Sequence, residues 1–203
     1  MTVTTADGEV EDVTYTGSAP LSVRFEANPT DVGEYTPLYE WRFYAPGQRD
    51  NPSVVRYDED TDFTFTTSGT TIVELLISFV QGQDTVTFEM DEPFQITVSE
   101  SKLEMPNVFT PNGDGINDIY RAKEGYQSIV SFEAAVFNRW GKRLHRWTDP
   151  ADGWDGTLGG QPVPAGAYYC VVKAVGADGV KYNFKKTINL LRGYSEESGS
   201  LDN

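Results

Sequence analysis

Hydrophobic and polar residues alternate with period two along most of the chain. Leu21, Val23 and Phe25 alternate with Ser22, Arg24 and Glu26, and Tyr39, Trp41 and Phe43 with Glu40, Arg42 and Tyr44. Phe63 and Phe65 sit between threonines, Thr70 to Val80 is a longer apolar run, and Phe94, Ile96 and Val98 close the first half. Such alternation predicts half-buried strands, and helical spacing is nearly absent. Asn28-Pro29, Pro46-Gly47, Asn51-Pro52, Ser68-Gly69 and Gln81-Gly82 separate the runs as turns. Six or seven short strands in so short a stretch predict a sandwich. In the second half a strand is expected over Ile129 to Asn138, followed by a hairpin turn at Arg139-Trp140-Gly141-Lys142. Ala167 to Val175 is expected to pair with Val180 to Leu191 across Asp178-Gly179, a strong hairpin signal.

Charge divides the chain. Residues 1–100 hold 19 acidic and 4 basic residues, whereas residues 101–203 hold 12 of each, so the formal charge of −15 belongs to the first half. With the short polar stretch Ser99-Glu100-Ser101-Lys102, this predicts a boundary near Ser99 to Glu104. The expected fold is therefore all-β, two immunoglobulin-like β-sandwich domains in tandem, spanning 1–100 and 101–192. A Ser/Gly/Glu-rich tail over 193–203 is expected to be disordered. The acidic balance argues against a nucleic-acid partner, and no apolar run is long enough for a transmembrane segment. No basic and apolar leader precedes Thr2, so the chain reads either as cytoplasmic or as a mature fragment given a start Met.

Few residues offer chemistry. One cysteine, Cys170, excludes an internal disulfide and a cysteine-based zinc site, and its apolar strand predicts a buried, inert thiol. One histidine, His145, lacks any Gly-x-Ser-x-Gly partner and reads as a surface or edge residue. Asp149, Asp152 and Asp155 form an acidic loop, read as the turn before a core Trp154 rather than as a glycosidase pair. The acidic run Tyr57 to Asp62 reads as a solvated loop. Asn112, Asp114, Asn117 and Asp118 crowd around two glycines. On an EF-type loop, Asn112, Asp114 and Asp118 fall at calcium-ligand positions, although Thr110 and Arg121 stand where acids belong. The same residues would also serve a loop knitted by Asx turns. Trp140, Trp147 and Trp154, near Arg139, Arg143 and Arg146, could form a sugar-binding platform if exposed, or core and hairpin packing if not.

Two family resemblances add to this reading. Gly17-Ser18-Ala19-Pro20-Leu21-Ser22-Val23-Arg24-Phe25, Tyr39-Glu40-Trp41-Arg42-Phe43 and Ser68-Gly69-Thr70-Thr71-Ile72-Val73-Glu74-Leu75 resemble a PKD-like immunoglobulin-fold domain over about 10–99. Tyr44-Ala45-Pro46-Gly47 stands where that family has its Gly-Asp-Gly turn. The stretch from Pro106-Asn107-Val108-Phe109-Thr110-Pro111-Asn112-Gly113 to Asp114-Gly115-Ile116-Asn117-Asp118 resembles the opening of the gliding motility-associated C-terminal domain. Phe137-Asn138-Arg139-Trp140-Gly141, Trp154-Asp155-Gly156-Thr157, Pro164-Ala165-Gly166-Ala167-Tyr168-Tyr169 and Leu190-Leu191-Arg192 follow in that family's order, over about 105–192. The resemblance implies a non-catalytic type B sorting domain of the type IX secretion system of Bacteroidetes, on a secreted or cell-surface protein. Its partners would be secretion machinery or cell-surface components. An adhesive or polysaccharide-binding surface module is the alternative.

Overall fold

The computed structural model describes residues 2–10, 12–30 and 32–192, so the tail expected over 193–203 lies outside the described residues. The chain divides into two compact units, one ending at Glu100 and the other starting at Ser101. Strands are the only regular structure among the described residues. None of these residues forms a helix long and apolar enough to cross a membrane.

The first unit contains β1 (Thr2–Thr5), β2 (Gly8–Glu9), β3 (Thr14–Gly17), β4 (Leu21–Glu26), β5 (Thr36–Tyr44), β6 (Val54–Arg56), β7 (Asp60–Phe65), β8 (Gly69–Gln81), β9 (Asp84–Glu89) and β10 (Phe94–Val98). One sheet runs β2-β1-β4-β7; the other runs β3-β10-β8-β5-β6, with β9 added on β8. The first strand of this larger sheet lies parallel to the last strand of the unit, with Ile96 opposite Tyr15. All its other pairings are antiparallel. That order is the immunoglobulin arrangement.

The alternation expected from sequence sets which side chains meet between the sheets. Leu21, Val23 and Phe25 point inward from β4, and Trp41 and Phe43 from β5. Phe25 packs on Trp41 at 5.7 Å between ring centroids and meets Phe43 edge-on at the same distance. Trp41 is fully buried, and its indole Nε1–H is satisfied by the carbonyls of Glu59 and Asp58, at 3.1 and 3.2 Å. On the outer side of β8, Glu74 is 2% exposed. Its carboxylate receives Arg49 through two guanidinium bonds of 2.8 and 3.1 Å, the fork geometry that makes burial of the charge tolerable.

The second unit contains β11 (Val108–Phe109), β12 (Ile129–Phe137), β13 (Arg143–Trp147), β14 (Thr157–Leu158), β15 (Gln161–Pro162), β16 (Gly166–Gly176) and β17 (Lys181–Leu190). Its main sheet runs β11-β17-β16-β12-β13. The first strand again lies parallel to the last, with Phe109 opposite Leu190, so the order repeats that of the larger sheet in the first unit. The opposite layer is different. There the chain runs mostly without strands, held by two isolated bridges, Lys102 with Gln127 and Tyr120 with Trp154, and by the β14–β15 ribbon. The second unit is thus a sandwich with one continuous sheet and one irregular wall. Leu103, Met105, Tyr120, Ala122 and Trp154 of that wall share a core with Phe132, Val136, Cys170, Val172 and Ile188 of the sheet.

Trp41→Ala removes the largest side chain between the first unit's sheets and orphans the carbonyls of Asp58 and Glu59. The expected cost is about 3–5 kcal/mol. A denaturant melt of the variant measures it; a loss under about 1 kcal/mol would mean that the ring does not carry the core.

Candidate functional site

The sequence blocks of the second unit lie far apart in the chain, yet the register of the sheet brings them to one end. Gly166 is opposite Leu190, Ala167 opposite Asn189, and Phe137 opposite Tyr169. Val108 is opposite Asn189 on the other side of β17. The loop after β11, the turn after β12, the start of β16 and the end of β17 therefore share this end. The chain enters the unit at the other end. There Ser101 donates its backbone N–H and its hydroxyl to Asp178, in the β16–β17 turn.

Arg192 holds the motif end together. Its guanidinium donates from Nη2 to the Gly156 carbonyl at 2.7 Å, from Nε to Val163 at 3.0 Å and from Nη1 to Pro111 at 3.1 Å. Gly156 and Val163 flank the β14–β15 ribbon, where the Val163 N–H also reaches the Gly156 carbonyl at 3.0 Å, and Pro111 lies in the loop after β11, so a single planar fork ties ribbon to loop. The fit leaves no room for a side chain at residue 156. A Cβ on Gly156 would sit 3.0 Å from Arg192 Nη2 and from Pro111 Cγ, and the backbone φ of +76° suits glycine. Gly153 is tighter, since a Cβ there would lie 2.5 Å from the Tyr120 carbonyl oxygen.

Behind this latch sits an aromatic cluster. Trp154 is fully buried; it lies 5.4 Å from Phe109 and meets Tyr168 edge-on at 5.3 Å. Its Nε1–H donates to the Thr157 carbonyl at 2.7 Å. The hydroxyls of Tyr120 and Tyr168 donate to the carbonyls of Pro106 and Pro164. The polar tips of Trp154, Tyr120 and Tyr168 are thus spent on loop carbonyls, which helps a wall with few strands meet its backbone hydrogen-bond requirement, whereas the buried Trp147 Nε1–H has no partner.

The Asn112 to Asp118 loop is knitted by its own hydrogen bonds. Asp118 Oδ1 accepts the N–H groups of Gly113 and Asn112 at 2.7 and 2.9 Å, and Oδ2 accepts that of Gly115 at 2.8 Å. Asp114 accepts the Ile116 N–H and the Asn112 amide, while Asn112 Oδ1 accepts the Asp114 N–H. Asn117 sits at φ 53° and offers its backbone carbonyl to Thr110. The Asp118 carboxylate faces three converging backbone N–H donors, the pattern of an Asx-turn loop. The backbone donors of Gly113, Gly115 and Asn112 hold the Asp118 carboxyl below its ordinary pKa. Ser101 does the same for Asp178. Among the described residues, no three His, Cys, Asp or Glu side chains gather to hold a metal.

The remaining candidates separate. Asp155 and Asp149 cap turns, accepting the N–H groups of Thr157 and Ala151. Cys170 is buried, and burial raises its thiol to about 11, so it stays protonated and unreactive at neutral pH. His145 lies against Trp147, 5.7 Å between rings. Of the two arrangements open to the three tryptophans, the structure has core and hairpin packing: Trp147 and Trp154 are in the core, and Trp140 is exposed, at 80%. Trp140 rides a built turn. Asn138 Oδ1 accepts the N–H groups of Trp140 and Lys142, Gly141 takes φ 78°, and Arg139 lies over the indole at 5.2 Å. Sequence reading assigned no role to Arg192; an arginine directly after the last apolar strand was the available signal.

Fold and site together define a β-sandwich module whose distinctive residues close loops and present a surface. Residues 103–190 match the family model described as CHU_C Type IX secretion signal domain. The second unit is thus similar to a type IX secretion signal domain, the mark of a secreted or cell-surface protein. None of the curated proteins matches the chain. Among solved structures, the chicken CNTN1 FN1-FN3 domains align at 12% identity and a TM-score of 0.35, covering 88% of this chain and 63% of that one. Dimeric latent PorU from Porphyromonas gingivalis aligns at 11% identity and a TM-score of 0.28, covering 95% of this chain and 20% of that one. The chain thus spans less than two thirds of the length of either.

Arg192→Ala takes a donor from each of three carbonyls and is expected to cost roughly 2–3 kcal/mol in a denaturant melt. Arg192→Lys should recover only part of this, because an ammonium cannot reproduce the fork. Equal stability of all three proteins would show that the latch carries no load. Melts in excess chelator and in calcium at about millimolar level should coincide, since binding would raise the melting temperature by mass action. Because the folded Asp118 and Asp178 carboxyls titrate low, their contribution is complete above the unfolded value near ~3.9 and is lost as pH falls through the folded values. Asp118→Asn should therefore flatten the acid limb of the melting-temperature profile.

Proposed function

We propose that residues 101–192 act as the address that sends this protein through type IX secretion and retains it at the cell surface. The machinery reads the motif end of the β11-β17-β16-β12-β13 sheet, with Trp140 as the exposed contact. The observation that carries this reading is the convergence of the blocks around Arg192. Residues up to 81 positions apart, from Pro111 to Arg192, are spent on shaping one end of the unit. Trp140 is the most exposed large apolar side chain of these blocks, on a turn fixed by Asn138 and Gly141. An exposed aromatic beside an arginine is the composition of an interface anchor.

The module itself is non-catalytic on this reading, a view supported by the protonated thiol of Cys170 and by the use of Asp118, Asp149 and Asp155 as turn caps. The first unit is a PKD-like spacer or adhesion module. Its charge keeps it soluble and away from other polyanions.

A reporter fused to residues 102–192 or 102–203, expressed in a host with type IX secretion, is expected at the surface, scored by protease accessibility on intact cells. Trp140→Ala should reduce surface exposure without moving the melting temperature. If both fusions stay inside while a known sorting domain exports the same reporter, the address is elsewhere. If they are exported and Trp140→Ala has no effect, the motif end is not what is read.

A further inference from the structure

We propose that the outer face of the five-stranded sheet in the second unit binds an acidic polysaccharide chain. Of this face, only Phe137 and Tyr169 belong to the motif blocks. Alternation along β12, β13, β16 and β17 sends one set of side chains into the core and the other set outward. The register fixes the outward rows. Arg143, Phe137, Tyr169 and Thr187 form the row nearest the motif end. Arg146, Ala135, Val171 and Lys185 form the next, followed by Glu133, Lys173 and Asn183, then Ser131, Val175 and Lys181.

The face therefore carries Arg143, Arg146, Lys173, Lys181 and Lys185 against a single carboxylate, Glu133. That carboxylate is engaged with Arg146 at 3.1 Å. Among the described residues, no acid lies within ion-pair distance of the other four cations. On a chain of formal charge −15, such a segregation of positive charge on one exposed sheet face calls for a function. Tyr169 is 48% exposed and neighbours Phe137, giving two rings flush with the sheet at one end. At the other end lies a shallow hollow of about 170 Å³, lined by Ser131, Glu133, Lys173, Val175, Lys181 and Asn183.

Charge complementarity points to an anion, and the shape points to a linear polymer of sugars. Four strands at their usual spacing give a row about 14 Å across, flat and open at both sides. Aromatic rings can stack on sugar rings, and Thr187, Asn183 and Ser131 offer hydrogen bonds to hydroxyls. Lys173, Lys181, Lys185 and Arg143 pair with carboxylates or sulfates along the chain. A protein partner is the poorer fit, because protein interfaces are depleted of lysine and of charge at their centres. A surface location brings such polymers within reach.

The test measures binding of the full chain to polygalacturonate, in chelator, with uncharged dextran, poly-glutamate and duplex DNA as comparators. The expected result is retention on polygalacturonate but not on dextran, weakening as salt rises. The triple variant Lys173→Gln, Lys181→Gln, Lys185→Gln should bind roughly tenfold more weakly or worse, and Tyr169→Ser should also bind more weakly, both with melting temperatures unchanged. Failure to bind polygalacturonate overturns the proposal, as does binding that survives the triple variant. Poly-glutamate or DNA bound as tightly as polygalacturonate also overturns it, in favour of an acidic protein or a nucleic acid.

Discussion

The second unit depends on one guanidinium. A sandwich with two sheets satisfies its backbone through strand ladders; this unit has a ladder on one side only. The other wall must find its hydrogen bonds elsewhere, and the carbonyls of Pro111, Gly156 and Val163 all find them at Arg192. The same constraint explains Gly156 and Gly153, where any side chain would enter a neighbouring segment. It also explains why Trp154, Tyr120 and Tyr168 are the aromatics chosen for this core. Each fills volume as phenylalanine would, and each brings one donor that a loop carbonyl needs.

The two units reach the same sheet order by different means. In the first, ring packing between two sheets dominates, and Phe25 touches Trp41, Phe43 and Phe94 at once. In the second, the sheet β11-β17-β16-β12-β13 keeps the parallel pairing of first and last strands, and the facing sheet has been exchanged for loops. Loops can be shaped in ways that strands cannot. That exchange turns an ordinary sandwich into one with a sculpted end, consistent with a domain that serves as an address.

Much of this was legible beforehand. The long strands β4, β5, β16 and β17 follow the alternation because their buried positions repeat every second residue, whereas β8 and β12 bury consecutive residues and read as apolar runs. Turn residues marked in the sequence, Gly47, Gly69, Gly82, Gly141 and Gly179, all take positive φ. Strand β9 carries the same alternation in Thr85-Val86-Thr87-Phe88 but buries neither face, all six of its residues being exposed. The role of the Asn112 to Asp118 loop was ambiguous for a chemical reason. Asn, Asp and Gly are what a calcium loop and an Asx-turn loop both require, and only the direction of the N–H groups separates them. The tryptophans were ambiguous likewise, since composition does not distinguish a ring in a core from a ring on a hairpin tip.

The position of the latch along the chain has a temporal consequence. Strand β11 waits for β17, its parallel neighbour, and Pro111 waits for Arg192. A growing polypeptide therefore cannot close this unit until codon 192 has been translated and has cleared the ribosome. Products of premature termination, or of proteolysis in the last strand, would lack both the ladder partner and the guanidinium, and would present an open core. Any surface that this end of the unit presents therefore comes into being only once β17 and Arg192 are in place.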